Sequence, residues 1–173
     1  RLVDALWEEG APVSADALVR GYVRDLRRAL PRDVVVTQGP AYMVPVAPGA
    51  LDAHRFAALV EQARDEPPQQ ALALLKEALK LWRGPPLPEI AAVRVGTAEI
   101  NRLEELRLVA LEQRLEAELD LGRHRELVPE LEQLVAQEPW REHLRAQLML
   151  ALYRSGRQHD ALEAYRETRR VLD

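Results

Sequence analysis

The chain has 173 residues, 47% of them apolar and 30% charged, enough to fold around one fair-sized core or two small ones. It has no cysteine, which excludes disulfide frameworks and thiolate metal sites and fits a cytoplasmic location. No apolar run approaches the roughly 20 residues that span a bilayer. A formal net charge of −4 excludes a protein that coats nucleic acid through bulk positive charge, so any such binding must come from a local cluster.

The chain opens at Arg1, already inside a helical pattern and without an initiator methionine, and is read as starting within a longer protein. A first helix is predicted from Leu2 to Glu9, with Leu2, Val3, Leu6 and Trp7 apolar, and the connector EEGAPVS closes it. Ser14 is a favourable N-cap for a second helix running to Leu30. On that helix Val19, Tyr22, Val23, Leu26, Ala29 and Leu30 share one side, while Arg20, Arg24, Arg27 and Arg28 share another. Between Arg20 and Arg32 five arginines stand against one acid, Asp25. Guanidinium groups meet phosphates or pair bidentately with guanine edges, so this face suits a DNA major groove. By itself an arginine face is more often a solvated surface. Gly21 either permits close approach of the helix to a DNA backbone or is a tolerated helix glycine.

Val34, Val35 and Val36 predict a strand, QGPA a turn, and Tyr42, Val44 and Val46 the alternating return strand. A basic helix followed at once by a hairpin reads as a recognition helix and its wing. PVAPGALD is the linker, and the domain boundary is placed near Pro48, separating residues 1–47 from 48–173.

From Asp52 onward the pattern is helical, with starts predicted at Asp52, Pro67, Thr97, Arg123, Pro139 and Arg157. Gly122 and Gly156 lie 34 residues apart, the period of a tetratricopeptide repeat. The positions five, nine and twelve residues after each glycine are Leu127, Leu131 and Leu134, and Ala161, Tyr165 and Thr168, which predicts packing between paired helices. Ala71, Leu75 and Ala78 repeat that spacing without the glycine. The expected fold is mainly α: a partial winged helix-turn-helix with one hairpin, then a tetratricopeptide-like bundle of about seven helices. The insertion RGPPLPEIAAVRVG is expected to be non-helical, and serves either as a contact loop or as a cap over neighbouring helix ends.

Nothing points to catalysis, a metal or a cofactor. His54, His124, His143 and His159 have no metal-ligand spacing, and Ser14 and Ser155, the only serines, have no nucleophile context. Glu104, Glu105 and Glu112 lie beside Arg102, Arg107 and Arg114, where pairing three or four residues apart along one helix explains them. Trp82, Trp140, Tyr153 and Tyr165 are either core anchors or the lining of a partner groove, readings that differ in exposure.

The stretches YVRDLRRAL, GALDAHRF, ALKLWRGPPL, RLEELRLVALEQRLEAELDLGRHRELVPELEQLV and REHLRAQLMLALYRSGRQHDALEAYR resemble the Streptomyces antibiotic regulatory protein family over nearly the whole chain. The resemblance implies a winged helix of the response-regulator type, with its N-terminal strands absent here, followed by a bacterial transcriptional activator domain. It implies binding of double-stranded DNA at direct repeats upstream of promoters and recruitment of RNA polymerase holoenzyme, with a homodimer as a further expectation. Ser14 to Leu30 would be the recognition helix, and VVVTQGPAY the wing in the adjoining minor groove, adding Thr37, Gln38 and Tyr42 to Arg20, Arg24, Arg27 and Arg28 as DNA-binding residues. Glu8, Glu9, Gly10, Ala11 and Pro12 would form the polymerase-contact loop. Asp25 stands where such helices often carry a basic or neutral polar residue, and Gln38 and Ala41 where relatives commonly place Arg and Gly; these departures weaken groove contact. Six basic and six acidic residues across positions 1–46 favour the alternative, an interaction module that binds protein and not DNA.

Overall fold

The computed structural model describes residues 2–7, 10–31, 33–88 and 94–172. Among these, helices α1 (Leu2–Trp7) and α2 (Ala15–Ala29) precede an antiparallel hairpin of β1 (Val36–Gln38) and β2 (Ala41–Met43). Six helices follow, where about seven were expected: α3 (Asp52–Ala63), α4 (Pro68–Lys80), α5 (Arg94–Asp120), α6 (His124–Gln137), α7 (Glu142–Arg154) and α8 (Gln158–Leu172). The mainly α class with a hairpin wing and helical repeats is as the sequence implied. The chain divides into two compact units, one comprising Arg1–His54 with Pro85–Arg102 and the other Arg55–Gly84 with Leu103–Asp173.

In the first unit Ser14 occupies the N-cap position of α2, but its hydroxyl makes no capping bond; its backbone carbonyl accepts from Ala17 and Leu18. Ala15, Val19 and Val23 are buried, and Trp7 stacks on Tyr22 with ring centroids 6.5 Å apart. The predicted apolar face is only partly covered, since Tyr22 and Leu26 are exposed on α2 and Leu30 at its C-cap, as are Leu2 and Leu6 on α1. A six-residue α1 is about 9 Å long at 1.5 Å per residue and cannot shield all of a 15-residue partner.

The hairpin is shorter than predicted, with three residues in each strand and Thr37 paired to Tyr42. Asp33 takes a left-handed φ of 72°, Val34 donates to the Pro31 carbonyl, and the Val35 carbonyl is claimed by a side chain, so neither valine enters the ladder. On the return side Pro45 has no N–H to donate. Gly39, at φ 57°, supplies the positive dihedral that a two-residue hairpin turn needs, ahead of Pro40.

The second unit is organised on residues 103–120 of α5, which face two ways. Ala110 and Ala117 join Phe56, Val60, Leu72 and Leu75 of α3 and α4 in one core. Leu115 and Leu119 join Leu127, Leu131, Leu144 and Leu148 of α6 and α7 in another. Both repeat glycines end their helices identically, at φ 82°. After α5, Gly122 donates to Leu119 and Arg123 to Glu118; after α7, Gly156 donates to Tyr153 and Arg157 to Leu152. These are paired Schellman closures, which need a left-handed residue. Of the repeat positions, Leu127 and Leu131 are buried, Leu134, Ala161 and Thr168 are half-buried, and Ala71, Leu75 and Ala78 are buried. Tyr165 departs from the expectation: it is 51% exposed, because among the described residues nothing covers that side of α8. The insertion is irregular over residues 83–87, with Leu87 at φ 50°, and α5 begins three residues before Thr97; residues 89–93 lie outside the described residues.

Charges buried along α5 find tertiary partners. Glu118 is bonded to Arg114 of its own helix, to Lys76 of α4 and to Arg123, and Arg114 also reaches Glu130 of α6. Glu105 and Glu112 do not pair along α5 as predicted: Arg141, just before α7, binds both. The hydrogen bonds it donates to Glu112, ahead of the opposing effect of burial, hold the Arg141 guanidinium well above its ordinary pKa. Arg102 pairs with Glu99, and Arg107 lies over the Trp82 ring. Burial pushes the Glu118 carboxyl up, but the Lys76 hydrogen bond and the charges of Arg114, Lys76 and Arg123 outweigh it, so its pKa lies below the ordinary carboxylate range.

Leu131 is fully buried, so Leu131→Ala should cost about 2–5 kcal/mol in urea unfolding, whereas Tyr165→Ala should stay within about 0.5 kcal/mol. A depressed carboxyl pKa adds stability above the unfolded value, lost as pH falls through the folded one. Lys76→Met removes a cation from Glu118 and should therefore move the acid-unfolding midpoint to higher pH, as followed by circular dichroism.

Candidate nucleic-acid interface

The four arginines of α2 do not have equal freedom. Arg20 is exposed and makes no hydrogen bond or ion pair among the described residues. Arg24 and Arg28 flank the Asp25 carboxylate, at 3.4 and 3.9 Å, with side chains 64% and 76% exposed. Asp25 is thus balanced by both arginines, Arg28 lying one turn further along α2. Contacts this exposed are weak, so both guanidinium groups can leave them for another anion.

Arg27 is different. Its Nε donates to the Val35 carbonyl and its Nη2 to the Thr37 hydroxyl, both at 2.8 Å, and its guanidinium lies 5.8 Å from the centre of the Tyr42 ring. Three residues predicted to touch DNA, Arg27, Thr37 and Tyr42, are therefore brought together on one another. Gln38 stays exposed at the hairpin tip beside Gly39 and opposite Ala41. A Cβ on Gly21 would meet nothing within 4 Å, so this glycine is not required by packing within the chain.

In the connector before α2, Gly10, Ala11 and Pro12 are exposed and Val13 is fully so, while Glu8 and Glu9 lie outside the described residues. The Pro12 carbonyl accepts from Ala15, which fixes the connector to the start of α2. Among the described residues no group of three or more His, Asp or Glu side chains is placed to hold a metal. Of the four aromatics in question, Trp82 is half-buried against Phe56, whereas Trp140, Tyr153 and Tyr165 are exposed.

Residues 51–173 match the family model of the bacterial transcriptional activator domain, and this covers most of the chain. The regulatory protein DnrI of Streptomyces peucetius is 38% identical over 99% of this chain and 68% of its own length. The chain belongs to the Streptomyces antibiotic regulatory protein family. Within that family it is 46% identical to the regulatory protein AfsR of Streptomyces coelicolor, covering 99% of this chain but 18% of that protein. The structure of Mycobacterium tuberculosis EmbR in complex with a low-affinity phosphopeptide superimposes with a TM-score of 0.89 at 36% identity, over 99% of this chain and 48% of that one. The chain thus spans a fifth or less of AfsR and about two thirds of DnrI.

Two features of this antibiotic-regulatory-protein chain escaped sequence reasoning: the Arg27 tie to the hairpin and the Arg141 bridge to Glu105 and Glu112. Arg27 sits in the same i, i+3, i+4 pattern as its neighbours, and no local signal separates it from them. Arg141 is 29 and 36 residues from its partners, beyond any helical spacing.

Proposed function

We propose that this chain is the DNA-binding and activation part of a transcriptional regulator that sits in the cytoplasm, binds promoter-upstream repeats and recruits RNA polymerase holoenzyme. The single observation that carries the proposal is the exposed arginine set Arg20, Arg24 and Arg28 on α2, immediately followed by a hairpin with Gln38 at its tip. In this reading α2 lies in the major groove and the hairpin reaches the adjoining minor groove. The exposed Gly10, Ala11 and Pro12 of the connector offer a surface for polymerase, and Glu8 and Glu9 precede them in the sequence. Residues 48–173 act as the activator domain and offer surfaces for polymerase or a second copy. Its relatives are named regulators, and the protein's role is recognition and recruitment rather than catalysis. No helix among the described residues is long and apolar enough to cross a membrane.

The second reading, a protein-interaction module without DNA binding, is favoured by the exposed Trp140, Tyr153 and Tyr165 and by the Asp25 carboxylate between two arginines. Genome-fragment selection with the full-length natural protein, followed by titration at several salt concentrations, separates the two. A DNA binder recovers repeats near promoters and loses affinity steeply with salt, by a log–log slope of about 0.9 per neutralised phosphate. Arg24→Ala should then weaken binding to the recovered duplex by about 1–3 kcal/mol, and Asp25→Asn should strengthen it by removing a carboxylate that phosphates repel. Recovery of no preferred sequence by a folded protein contradicts the DNA-binding proposal and supports the interaction module.

A further inference from the structure

We propose that Arg27 is a positioning residue, which fixes the hairpin against α2 and makes no DNA contact of its own. The inference rests on the DNA-binding reading above and assigns a different task to a side chain that sequence pattern groups with Arg20, Arg24 and Arg28.

A two-stranded hairpin with three residues per strand is marginal on its own in water. Here Thr37 and Gln38 are exposed in β1, and Ala41 and Met43 in β2, so little apolar burial holds the hairpin in place. Arg27 supplies the missing hold. Its fork reaches the Val35 carbonyl just before β1 and the Thr37 hydroxyl within β1, and its flat face lies over Tyr42, the cross-strand partner of Thr37. One guanidinium thus engages the hairpin from both strands. Because the guanidinium is planar, two parallel donors fix a direction as well as a distance, which a lysine ammonium cannot do.

The position of the tie gives it leverage. Thr37 is the residue next to Gln38, so the hold lies one residue from the exposed tip. The Val35 carbonyl belongs to the irregular stretch that follows the left-handed Asp33, where no ladder partner would otherwise set the chain direction. Releasing Arg27 frees the tip to swing while leaving Arg20, Arg24 and Arg28 in place on α2.

The test uses the full-length protein and the duplex recovered by selection, with Arg27→Lys, Thr37→Val and the double variant compared by binding and by hydroxyl-radical footprinting. Arg27→Lys keeps the charge but should bind about tenfold more weakly, the worth of one charge-assisted hydrogen bond. Its footprint should lose the flank under the hairpin and keep the centre under α2. Thr37→Val should show the same selective loss, and the double variant should be no weaker than Arg27→Lys alone. Wild-type affinity in Arg27→Lys, with Arg27→Gln lowering the salt slope by about one phosphate and adding to Thr37→Val, would show a direct phosphate contact and overturn the proposal. If the wild type selects no duplex, the DNA-binding reading fails and the tie is read in the free protein. Slow exchange of the Arg27 Nε–H, which donates to the Val35 carbonyl, supports the tie, and fast exchange in the wild type overturns it.

Discussion

The helical unit depends on one constraint: a single 27-residue helix, α5, has to serve two cores at once and bury charge between them. Ala110 and Ala117 go to one core and Leu115 and Leu119 to the other, and Glu112, Arg114 and Glu118 are buried along the same helix. Burying a charge is costly unless it is paired and hydrogen-bonded. Arg114 and Glu118 pair with each other along α5, and each of the three groups also has a partner from elsewhere in the chain: Lys76 in α4, Glu130 in α6, Arg141 before α7. The ion pairs therefore select where the helices sit more than they add to stability. A packing that misplaced Arg141 would leave Glu112 buried without a counter-charge, which disfavours alternative arrangements of similar repeats.

The first unit is built on the opposite principle. Its buried residues on α2 are small or β-branched, Ala15, Val19 and Val23, and larger apolar side chains on both helices remain exposed. What orders the hairpin is a polar tie from Arg27, not an apolar core. Segments with little buried apolar area open at low free-energy cost, and elements that bind partners are commonly drawn from that class. The proposed DNA contacts thus stand on the lightly held part of the chain, and the regular helical repeats on the heavily held part.

Much of this was legible in the sequence, because it is encoded locally. Gly122 and Gly156 announce two identical helix closures through the one residue that takes a left-handed φ without strain. The 3.6-residue pattern placed α3 to α8 to within a few residues, and the family resemblance gave the architecture. The misreadings share one cause, which is that tertiary partners decide what a periodic pattern cannot. Tyr165 holds a repeat position but lacks a neighbour; Glu105 and Glu112 had plausible partners on their own helix and took Arg141 instead. Val34 and Val35 have strand chemistry but lost their ladder bonds to Pro31 and to Arg27. At the candidate interface the sequence proposes a residue set, within which the structure separates Arg20, Arg24 and Arg28, all exposed, from Arg27, which is engaged with the hairpin.

The central claim is that α2 enters a DNA groove beside the hairpin, and tethered cleavage tests it most directly. This stretch contributes no cysteine, so a single cysteine placed at Ala17 on the exposed side of α2, or at Ala41 in β2, can carry an iron chelate in an otherwise cysteine-free full-length protein. The account predicts cuts flanking one major groove from position 17 and cuts within the adjoining minor groove from position 41, both in register with the selected repeat. Uniform cutting along the duplex, or none from either position by a folded protein, would contradict it.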